Sequence, residues 1–356
     1  MGKPILHQFV VGASPGDAIT DHALLLRRWL REDGFNSHIF AESIAPGLED
    51  NIKSYLAYRP DRKGAVVILH HSIGSDVVDY LLSLDVRVVL IYHNVTPASF
   101  FESSDPALAA QLARGRDQLL SLRSRTLLGL GVSKYDENEL CQAGFASTGV
   151  LPIVLDEEAY NFKPNPRLLE RYQDSGPNLL FVGRLVPNKC QDDLIKIMYY
   201  LKRIVPVARL FLVGSPWLPE YADWLQELAV ELEVSGRVIF TGHVSQRDLV
   251  TYYQLADLYV SMSEHEGFGK PFIEAMYFGI PVVAYAAAAV PETLGEAGVL
   301  ICKKSYFAIA EFLNLLMESP EIRQRIAKRQ HQHFRKFTTS QVRQKWHEYL
   351  EFVRSQ

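Results

Sequence analysis

The chain has 356 residues, a mass of 40.3 kDa and a formal net charge of −4. This length exceeds one ordinary hydrophobic core and suits two domains of average size. With 48% apolar and 22% charged residues, the composition is that of a globular protein and excludes collagen-like, coiled-coil and largely disordered chains. The slight acidity also argues against nucleic acid as a partner.

Short apolar, β-branched runs alternate with amphipathic helical stretches along the chain. In the first half, strands are predicted at Ile5–Gly12, Ser37–Phe40, Ala65–His70, Arg87–His93, Leu127–Ser133 and Thr148–Pro152. Helices are predicted between them at Ile19–Asp33, Asp76–Leu84, Pro106–Ser124 and Lys134–Ala143. After Asn165 the alternation resumes, with strands at Asn178–Gly183, Arg209–Gly214, Arg237–Gly242, Leu258–Ser263, Pro281–Ala284 and Gly298–Ile301.

This alternation predicts an α/β protein with two doubly wound, Rossmann-like parallel sheets. We expect residues 1–155 to form the first domain and 156–337 the second, because prolines and acidic residues interrupt local structure between them. A long helical tail from Tyr306 to about Val353 should return to the first domain, with 338–356 packing there. Ligands of open α/β sheets bind beyond the carboxyl ends of the strands, so the site is expected in a cleft where the two sheets face each other.

The sequence contains no segment with the features of a membrane-spanning helix or a secretory signal peptide. No apolar run reaches the roughly 18 residues of a spanning helix, and the N-terminus lacks the features of a secretory peptide. The cysteines Cys141, Cys190 and Cys302 are too widely spaced for a disulfide framework or a C-x-x-C site. We therefore expect a cytoplasmic protein in which all three cysteines are small buried side chains.

Two stretches are basic despite the acidic average. Leu112–Arg125 contains four arginines among leucines, and Arg323–Arg354 contains nine lysines or arginines. Solvated helix faces are the more common cause of such runs. The alternative is attraction to an anionic membrane surface, which would place the protein peripherally at the inner face of the membrane.

The strongest motif follows the strand predicted to end at Ser263. Glu266-Gly267-Phe268-Gly269 leads into a helix that carries Glu274, and a helix start exposes backbone amides that suit phosphate oxygens. Glu266 is predicted to lie in the turn and Glu274 in the first helical turn, where carboxylates can accept hydrogen bonds from sugar hydroxyls. The same sequence is also typical of an ordinary strand–turn–helix without a ligand, in which the helix dipole favours a glutamate near the helix start.

The second motif follows the first strand of the second domain. Gly183 ends that strand, and Arg184 and Lys189 follow in the loop. A guanidinium and an ammonium at a strand end suit the clamping of a diphosphate, although two surface cations in a loop are an equally common finding.

Two weaker signals lie in the first half. Gly16 and Asp17 belong to a loop between a strand and a helix that lacks both the G-x-G-x-x-G pattern and the lysine of a P-loop. His93 and Asn94 are polar residues that abruptly end a hydrophobic strand, which indicates a hydrogen-bonding role towards a ligand; a core-edge histidine is the alternative. The sequence contains no D-x-D pair, so no metal site is predicted under a diphosphate.

Together these residues resemble the family 4 retaining glycosyltransferases of the GT-B fold. Residues 266–275 match the family pattern E-G-F-G-x-x-x-x-E-A, and Val182 to Lys189 match V-G-R-x-x-x-x-K. The segment Phe240–Val244 resembles the loop whose backbone reads the base. The N-terminal loop departs from the family's common double glycine.

The resemblance implies a role for each matched residue. Arg184 and Lys189 would hold the diphosphate beside Gly183, and Glu266 would face the donor sugar. The amides around Gly267, Phe268 and Gly269 would meet the sugar and the diphosphate, Glu274 the ribose, and Val244 the base. In the first domain Gly16 would approach the phosphates, and Asp17, His93 and Asn94 would lie on the acceptor side.

The resemblance also implies a retaining hexosyltransferase that needs no cofactor, because the nucleoside diphosphate sugar is a co-substrate. The expected acceptor is a glycan or lipid-linked glycan in polysaccharide biosynthesis. A UDP-sugar such as UDP-glucose or UDP-glucuronate is the first expectation for the donor, and GDP-mannose the second. A sugar-nucleotide epimerase, a nicotinamide oxidoreductase and a non-catalytic sugar-binding protein are the competing classes; the missing G-x-G-x-x-G argues against the oxidoreductase.

Lys270 directly follows the E-G-F-G stretch, where the resembled family carries an apolar residue. A cation at a helix N-terminus opposes the helix dipole and costs a few tenths of a kcal/mol unless an anion compensates it. The diphosphate or an acidic donor sugar could supply that anion, and a side chain that extends to solvent is an equal alternative.

Because Arg184 and Lys189 stand where other enzymes place a metal ion, we predict transfer activity that does not need one. Activity measured after dialysis against a chelator should equal that of the untreated protein. Loss of activity on chelation, with recovery on addition of magnesium or manganese, would contradict this prediction.

Overall fold

The structure is a computed structural model and describes residues 3–173 and 176–355. The chain divides into two compact units, one formed by Met1–Val154 with Thr339–Gln356 and the other by Leu155–Thr338. We refer to them as the first and the second unit. Each contains one parallel β-sheet with helices, which confirms the predicted α/β class.

The sheet of the first unit has seven strands in the order β3-β2-β1-β4-β5-β6-β7, and all neighbours are parallel. The strands are β1 (His7–Ala13), β2 (Ile39–Ile44), β3 (Ile52–Ser54), β4 (Ala65–His71), β5 (Val86–Tyr92), β6 (Thr126–Gly131) and β7 (Thr148–Val150). The helices that connect them are α1 (Ala18–Glu32), α2 (Asp76–Ser83), α3 (Pro106–Leu122) and α4 (Lys134–Gln142).

The sheet of the second unit has six parallel strands in the order β10-β9-β8-β11-β12-β13. The strands are β8 (Asn178–Val182), β9 (Arg209–Val213), β10 (Val238–Gly242), β11 (Leu258–Ser261), β12 (Val282–Tyr285) and β13 (Val299–Ile301). The helices are α5 (Pro166–Tyr172), α6 (Gln191–Ile204), α7 (Pro219–Glu231), α8 (Gln246–Leu255), α9 (Lys270–Tyr277), α10 (Val290–Leu294), α11 (Tyr306–Glu318) and α12 (Pro320–Phe334), and α13 (Thr339–Arg354) ends the chain in the first unit.

Local sequence explains where these elements begin and why the strands are buried. The Asp17 side chain caps α1 by accepting hydrogen bonds from two backbone amides, and the Ser133 side chain caps α4 by accepting one, from the Asp136 amide. Every residue of β9 is buried, because helices cover a parallel sheet on both faces. Each predicted strand is present; the three-residue edge strand β3 was not predicted because it carries too short an apolar pattern.

The predicted helical tail is divided into three helices, and the predicted burial of all three cysteines is wrong. In the tail, α11 ends at Glu318 and Pro320 opens α12, where its missing N–H is not needed. A 3-10 turn at Arg335–Phe337 separates α12 from α13. Of the three cysteines only Cys190 is buried, whereas Cys141 and Cys302 are exposed, because they lie at the end of α4 and just after β13, outside the core.

The helix α13 packs on the first unit through its aromatic face. Trp346 is 1% exposed, and the Val150 amide donates a hydrogen bond to the Tyr349 hydroxyl oxygen at 3.1 Å. Gly149 leaves room for this ring, because an added Cβ would lie 2.5 Å from the Tyr349 hydroxyl. The tail therefore completes the core of the first unit, although it follows the second in sequence.

Arginines of the first basic stretch form ion pairs inside the first unit. Arg114 binds Asp76 and Asp79, each at 2.6 Å. Arg116 approaches Glu139 at 3.4 Å and donates to the Val95 carbonyl at 2.6 Å. These contacts favour the solvated helix face over a membrane-binding patch. In the described part of the chain, no helix is both long and apolar enough to cross a bilayer.

Because Trp346 is buried between α13 and the rest of the first unit, Trp346→Ala should destabilise the protein by about 3–5 kcal/mol, the range for deleting a large buried aromatic ring. Urea unfolding followed by circular dichroism measures this change. Gln344→Ala, at an exposed position of the same helix, is the matched control and should change stability by less than about 0.5 kcal/mol. Equal effects of the two substitutions would show that α13 does not depend on this packing.

Candidate functional site

The two motifs of the second unit lie side by side. Strands β8 and β11 are parallel neighbours, so the loops that follow them leave the same edge of the sheet. The Glu264 amide donates to the Asn188 carbonyl at 2.9 Å, and the Asn188 side-chain amide donates to the His265 carbonyl at 3.2 Å. These hydrogen bonds join the loops into one surface at the carboxyl ends of the strands, where ligands of such sheets bind.

An ion pair between the predicted diphosphate-binding and sugar-binding residues lies on this surface. Lys189 Nζ is 2.6 Å from Glu266 Oε2, and the two side chains are 19% and 12% exposed. The Arg184 guanidinium lies over the Trp217 ring, 4.0 Å from its centroid, a cation–π contact that restrains a long exposed side chain. Two cations and one carboxylate are thus presented together at the strand ends.

The backbone between Glu266 and α9 is held in a specific conformation. Gly269 has φ 86° and lies against Phe272, 2.4 Å from the position of an added Cβ, so only glycine fits there without strain. The Phe268 carbonyl accepts a hydrogen bond from the Thr293 hydroxyl at 2.6 Å, and its ring packs on Phe337. Gly267 therefore joins Glu266 to a rigid helix start.

Glu274 is buried more deeply than its motif indicates. It is 4% exposed, and it accepts hydrogen bonds from the hydroxyls of Tyr160 and Tyr253, each at 2.5 Å. Burial and the adjacent carboxylate raise the pKa of Tyr253, so its hydroxyl remains a donor. The predicted place of Glu274 in the first turn is wrong, because α9 begins at Lys270 and Glu274 lies one turn further on.

A protein carboxylate compensates the charge of Lys270. Its Nζ is 3.9 Å from Glu274 Oε1, and the Lys270 side chain is 16% exposed. The two residues are four apart on α9, a spacing that brings side chains together on one helix face. The compensating anion inferred from the sequence therefore need not be a donor ligand, which removes the argument for an acidic sugar.

The strand ends also approach each other closely on the other side of β8. An added Cβ at Gly214 would lie 2.0 Å from the Gly183 carbonyl oxygen, so the backbones after β8 and β9 are in contact. Val244 lies in the loop between β10 and α8 and is partly buried. Strands β10, β9 and β8 are neighbours in this order. The loops that follow β10 and β9 therefore come next to the loop after β8, which carries Arg184.

The four candidates of the first unit have different surroundings. Gly16 is exposed with φ 76°, and Asp17 is the N-cap of α1. The Asn94 side chain donates to Asp136 at 2.7 Å and to Glu139 at 2.9 Å, which ties it to α4. His93 Nε2 is 3.0 Å from His70 Nδ1. Asp17 and Asn94 therefore have structural roles that strand-end polarity alone did not reveal.

Sequence reasoning missed several residues that position the site. Trp217 restrains Arg184, Asn188 joins the two loops, and Tyr160 and Tyr253 hold Glu274. Lys304 binds Asp193 at 2.7 Å and Glu264 at 2.8 Å, which anchors the loop that carries Glu266. Asn188 precedes Lys189 in the recognised motif and could have been identified; the others come from distant segments with no pattern of their own.

The hydrogen bond from Tyr253 to the buried Glu274 carboxylate should stabilise the second unit. Tyr253→Phe leaves that oxygen with one donor fewer, and we expect a loss of about 1–3 kcal/mol in the free energy of unfolding. Chemical denaturation measures this loss.

Tyr252→Phe is the matched control, since Tyr252 is the preceding residue on α8 and is also buried at 6% exposure. Removal of the Tyr252 hydroxyl should lower the free energy of unfolding by less than half of the loss expected for Tyr253→Phe. A double-mutant cycle with Glu274→Gln should show a coupling energy, and additive effects of the two substitutions would contradict the interaction.

Comparisons with known proteins agree with this geometry. Residues 170–333 match the family model "Glycosyl transferases group 1". A GDP-mannose-dependent alpha-(1-6)-phosphatidylinositol monomannoside mannosyltransferase of Mycolicibacterium smegmatis is 30% identical over 203 residues, which are 53% of this chain and 52% of the relative. A D-inositol 3-phosphate glycosyltransferase of Frankia alni is 34% identical over 160 residues, 43% of this chain and 39% of the relative. The chain thus spans about half the length of the first of these relatives, and less of the second.

Solved structures show the same fold over nearly the whole chain. Sucrose-phosphate synthase of Thermosynechococcus elongatus has a TM-score of 0.78 at 18% identity and covers 99% of this chain and 100% of its own. The Anabaena protein HepE in complex with UDP-glucose has a TM-score of 0.75 at 18% identity, with 98% and 99% covered. These neighbours confirm the predicted fold class, two Rossmann-like domains of the GT-B type.

The matched residues 170–333 include the Arg184–Lys189 loop, the Glu266 loop and α9, all of which lie in the second unit. The motifs, the parallel sheet and the family model therefore lead to the same result. Residues 170–333, which make up most of the second unit, match the group 1 glycosyl transferases, as the sequence resemblance predicted.

Proposed function

We propose that this protein transfers a hexose from a nucleoside diphosphate sugar to a hydroxyl group of an acceptor, with retention of anomeric configuration and without a metal ion. The observation that carries the proposal is the Lys189–Glu266 pair at 2.6 Å beside Arg184, within the residues that match the family. Cations suit a diphosphate and the carboxylate suits the hydroxyls of the sugar attached to it.

The cations would act mainly in the transition state. As the bond between the anomeric carbon and the phosphate oxygen breaks, negative charge grows on the diphosphate and positive charge on the sugar ring. Arg184 and Lys189 stabilise the diphosphate, a role that elsewhere falls to a metal ion, and preorganised charges of this kind supply a large part of catalysis. The amides at the start of α9 add further donors.

Retention follows from attack on the same face of the sugar that the diphosphate leaves. The acceptor oxygen forms the new bond to the anomeric carbon, and its proton passes to the departing phosphate oxygen. No protein carboxylate is required as a nucleophile in this scheme. Glu266, paired with Lys189, instead orients the sugar by accepting hydrogen bonds from its hydroxyls, and Glu274 serves the ribose.

GDP-mannose and UDP-sugars are the two donor candidates. The mannosyltransferase relative, 30% identical, is named as GDP-mannose-dependent, which favours GDP-mannose. A UDP-sugar is the first expectation from the sequence, and HepE, a fold neighbour, was solved with UDP-glucose. The case for UDP-glucuronate rests on Lys270, whose charge Glu274 compensates. The relatives' names also favour an inositol-containing phosphate or phospholipid acceptor, which is one form of the predicted lipid-linked or glycan acceptor and is compatible with work at a membrane surface.

The donor is identified by calorimetric titration with GDP, GDP-mannose, UDP, UDP-glucose and UDP-glucuronate. Only one base should bind tightly, and its sugar nucleotide should be consumed in the presence of an acceptor extract. Conversion of a sugar nucleotide into its epimer without any acceptor would instead establish the competing epimerase activity. Binding of neither nucleotide would contradict the proposal.

Arg184→Ala and Lys189→Ala should each reduce kcat/KM for the identified donor by about 2–4 kcal/mol of transition-state stabilisation, the range for removing one preorganised charge partner. Both substitutions should also weaken the binding of the free nucleoside diphosphate. Arg325→Ala removes an exposed cation of α12 and is the control, with no expected change. Turnover at the wild-type rate by either site variant would show that the diphosphate lies elsewhere.

A further inference from the structure

Three side chains form a hydrogen-bonded row across neighbouring strands of the first unit. Gln8 lies on β1, His70 on β4, and His93 directly follows β5. Gln8 Oε1 is 3.0 Å from His70 Nε2, and His70 Nδ1 is 3.0 Å from His93 Nε2. Gln8 and His70 are 0% exposed, so each polar atom in the row must be satisfied by its neighbours.

The backbone of α1 sets the direction of this row. Gln8 Nε2 donates to the Ala23 carbonyl at 3.0 Å, so Gln8 presents its carbonyl oxygen to His70. That oxygen can only accept, and His70 Nε2 must therefore carry a proton. Burial lowers the pKa of His70 well below its usual range, so the ring is neutral and its Nδ1 is an acceptor. His93 Nε2 must then donate to it.

The direction of these hydrogen bonds determines the protonation of the second nitrogen of His93, Nδ1. Burial, together with the other imidazoles, lowers the pKa of His93, so this ring is also neutral and carries its one proton on Nε2. His93 Nδ1 is left with a lone pair, and it is shielded from solvent with no hydrogen-bond partner among the described residues. A buried acceptor without a donor calls for an explanation. His71 Nδ1 is also unpartnered, but the His71 side chain is fully buried, whereas His93 is only partly buried and can meet a ligand.

A metal ion is the competing explanation, because His22 brings a third imidazole near the other two. The geometry favours the hydrogen bond. The rings of His70 and His93 are 5.3 Å apart between centroids with planes inclined by only 21°, the separation of two imidazoles whose nitrogens face each other in line. Two ligands of one metal would instead point at a common centre from an angle.

We propose that Gln8 and His70 are positioning residues that hold His93 in the tautomer with a bare Nδ1, so that His93 accepts a hydrogen bond from a hydroxyl group. A phosphate oxygen, which has no proton to donate, is thereby excluded from this position. The assignment of that hydroxyl to the transferred sugar or the acceptor rests on the proposed function, whereas the tautomer does not.

Nitrogen NMR of the full-length protein with ¹⁵N-labelled histidine tests the tautomer directly. Protonated and bare imidazole nitrogens have separate chemical shifts, and His93→Gln identifies the His93 signals. The expected result is a proton on Nε2 of both His70 and His93, with His93 Nδ1 bare. A proton on His93 Nδ1, or a doubly protonated ring near neutral pH, overturns the proposal whatever the enzyme transfers.

Two substitutions at His70 separate positioning from a purely structural effect. His70→Asn keeps an acceptor oxygen near the place of Nδ1 and should preserve the His93 tautomer and most activity. His70→Leu removes the acceptor, and we expect mixed His93 tautomers and a loss in kcat of about 10–100-fold, the usual effect of removing an orienting partner. The affinity for the free nucleoside diphosphate should not change, because this ligand contains neither the transferred sugar nor the acceptor.

His71→Leu is the matched control, since His71 is the next residue on β4, is equally buried, and donates to the Gly115 carbonyl instead. It should lower stability without altering the His93 tautomer or kcat. If His70→Asn and His70→Leu lose activity equally, or if His71→Leu shifts the tautomer as well, the row has no positioning role. Titration with zinc after chelation decides the alternative: one-to-one binding that shifts the nitrogens of His22, His70 and His93 would establish a metal site instead.

Discussion

The ion pair of Lys189 with Glu266 is the interaction on which the site of the second unit depends. It joins the loops after β8 and β11, and each partner is less than one-fifth exposed. A charge so poorly hydrated needs a partner, because its attraction is screened little and an unpaired charge there would be costly. The pair therefore joins the two loops and presents a cation and a carboxylate at one surface.

The surrounding residues keep that surface in one conformation. Lys304 holds Glu264 just before the motif, and Gly269 allows α9 to begin immediately after it. Trp217 restrains the Arg184 guanidinium, which reduces the side-chain entropy lost when a diphosphate binds. The site is thus organised in advance, which is the condition under which fixed charges stabilise a transition state effectively.

Polar groups in the two units are arranged by the same physical rule. Glu274 is buried with two tyrosine hydroxyls as donors, and His70 is buried between Gln8 and His93. In both places burial would be unfavourable without these partners. The hydrogen bonds also assign a direction to each group, so Glu274 remains an acceptor and His93 keeps one nitrogen bare.

Much of the fold follows from the sequence alone. Continuous apolar runs such as β9 alternate with amphipathic helices, and this pattern is specific to parallel sheets covered on both faces. Motif spacing likewise placed Arg184, Lys189 and Glu266 at strand ends, because the carboxyl ends of parallel strands meet at one edge of a sheet. These features are local, so one sequence is sufficient to predict them.

Only the tertiary structure decided which partners these residues have. The hydroxyls on Glu274 come from Tyr160 and Tyr253, the carboxylates that bind Asn94 come from α4, and the acceptor beside His93 comes from β4. Each lies far away in the chain, and no short-range pattern encodes such a pairing. The sequence by itself therefore determined the α/β class and the candidate chemistry, whereas long-range packing determined which candidates are exposed, paired or directed, since burial and hydrogen bonding are properties of the folded chain.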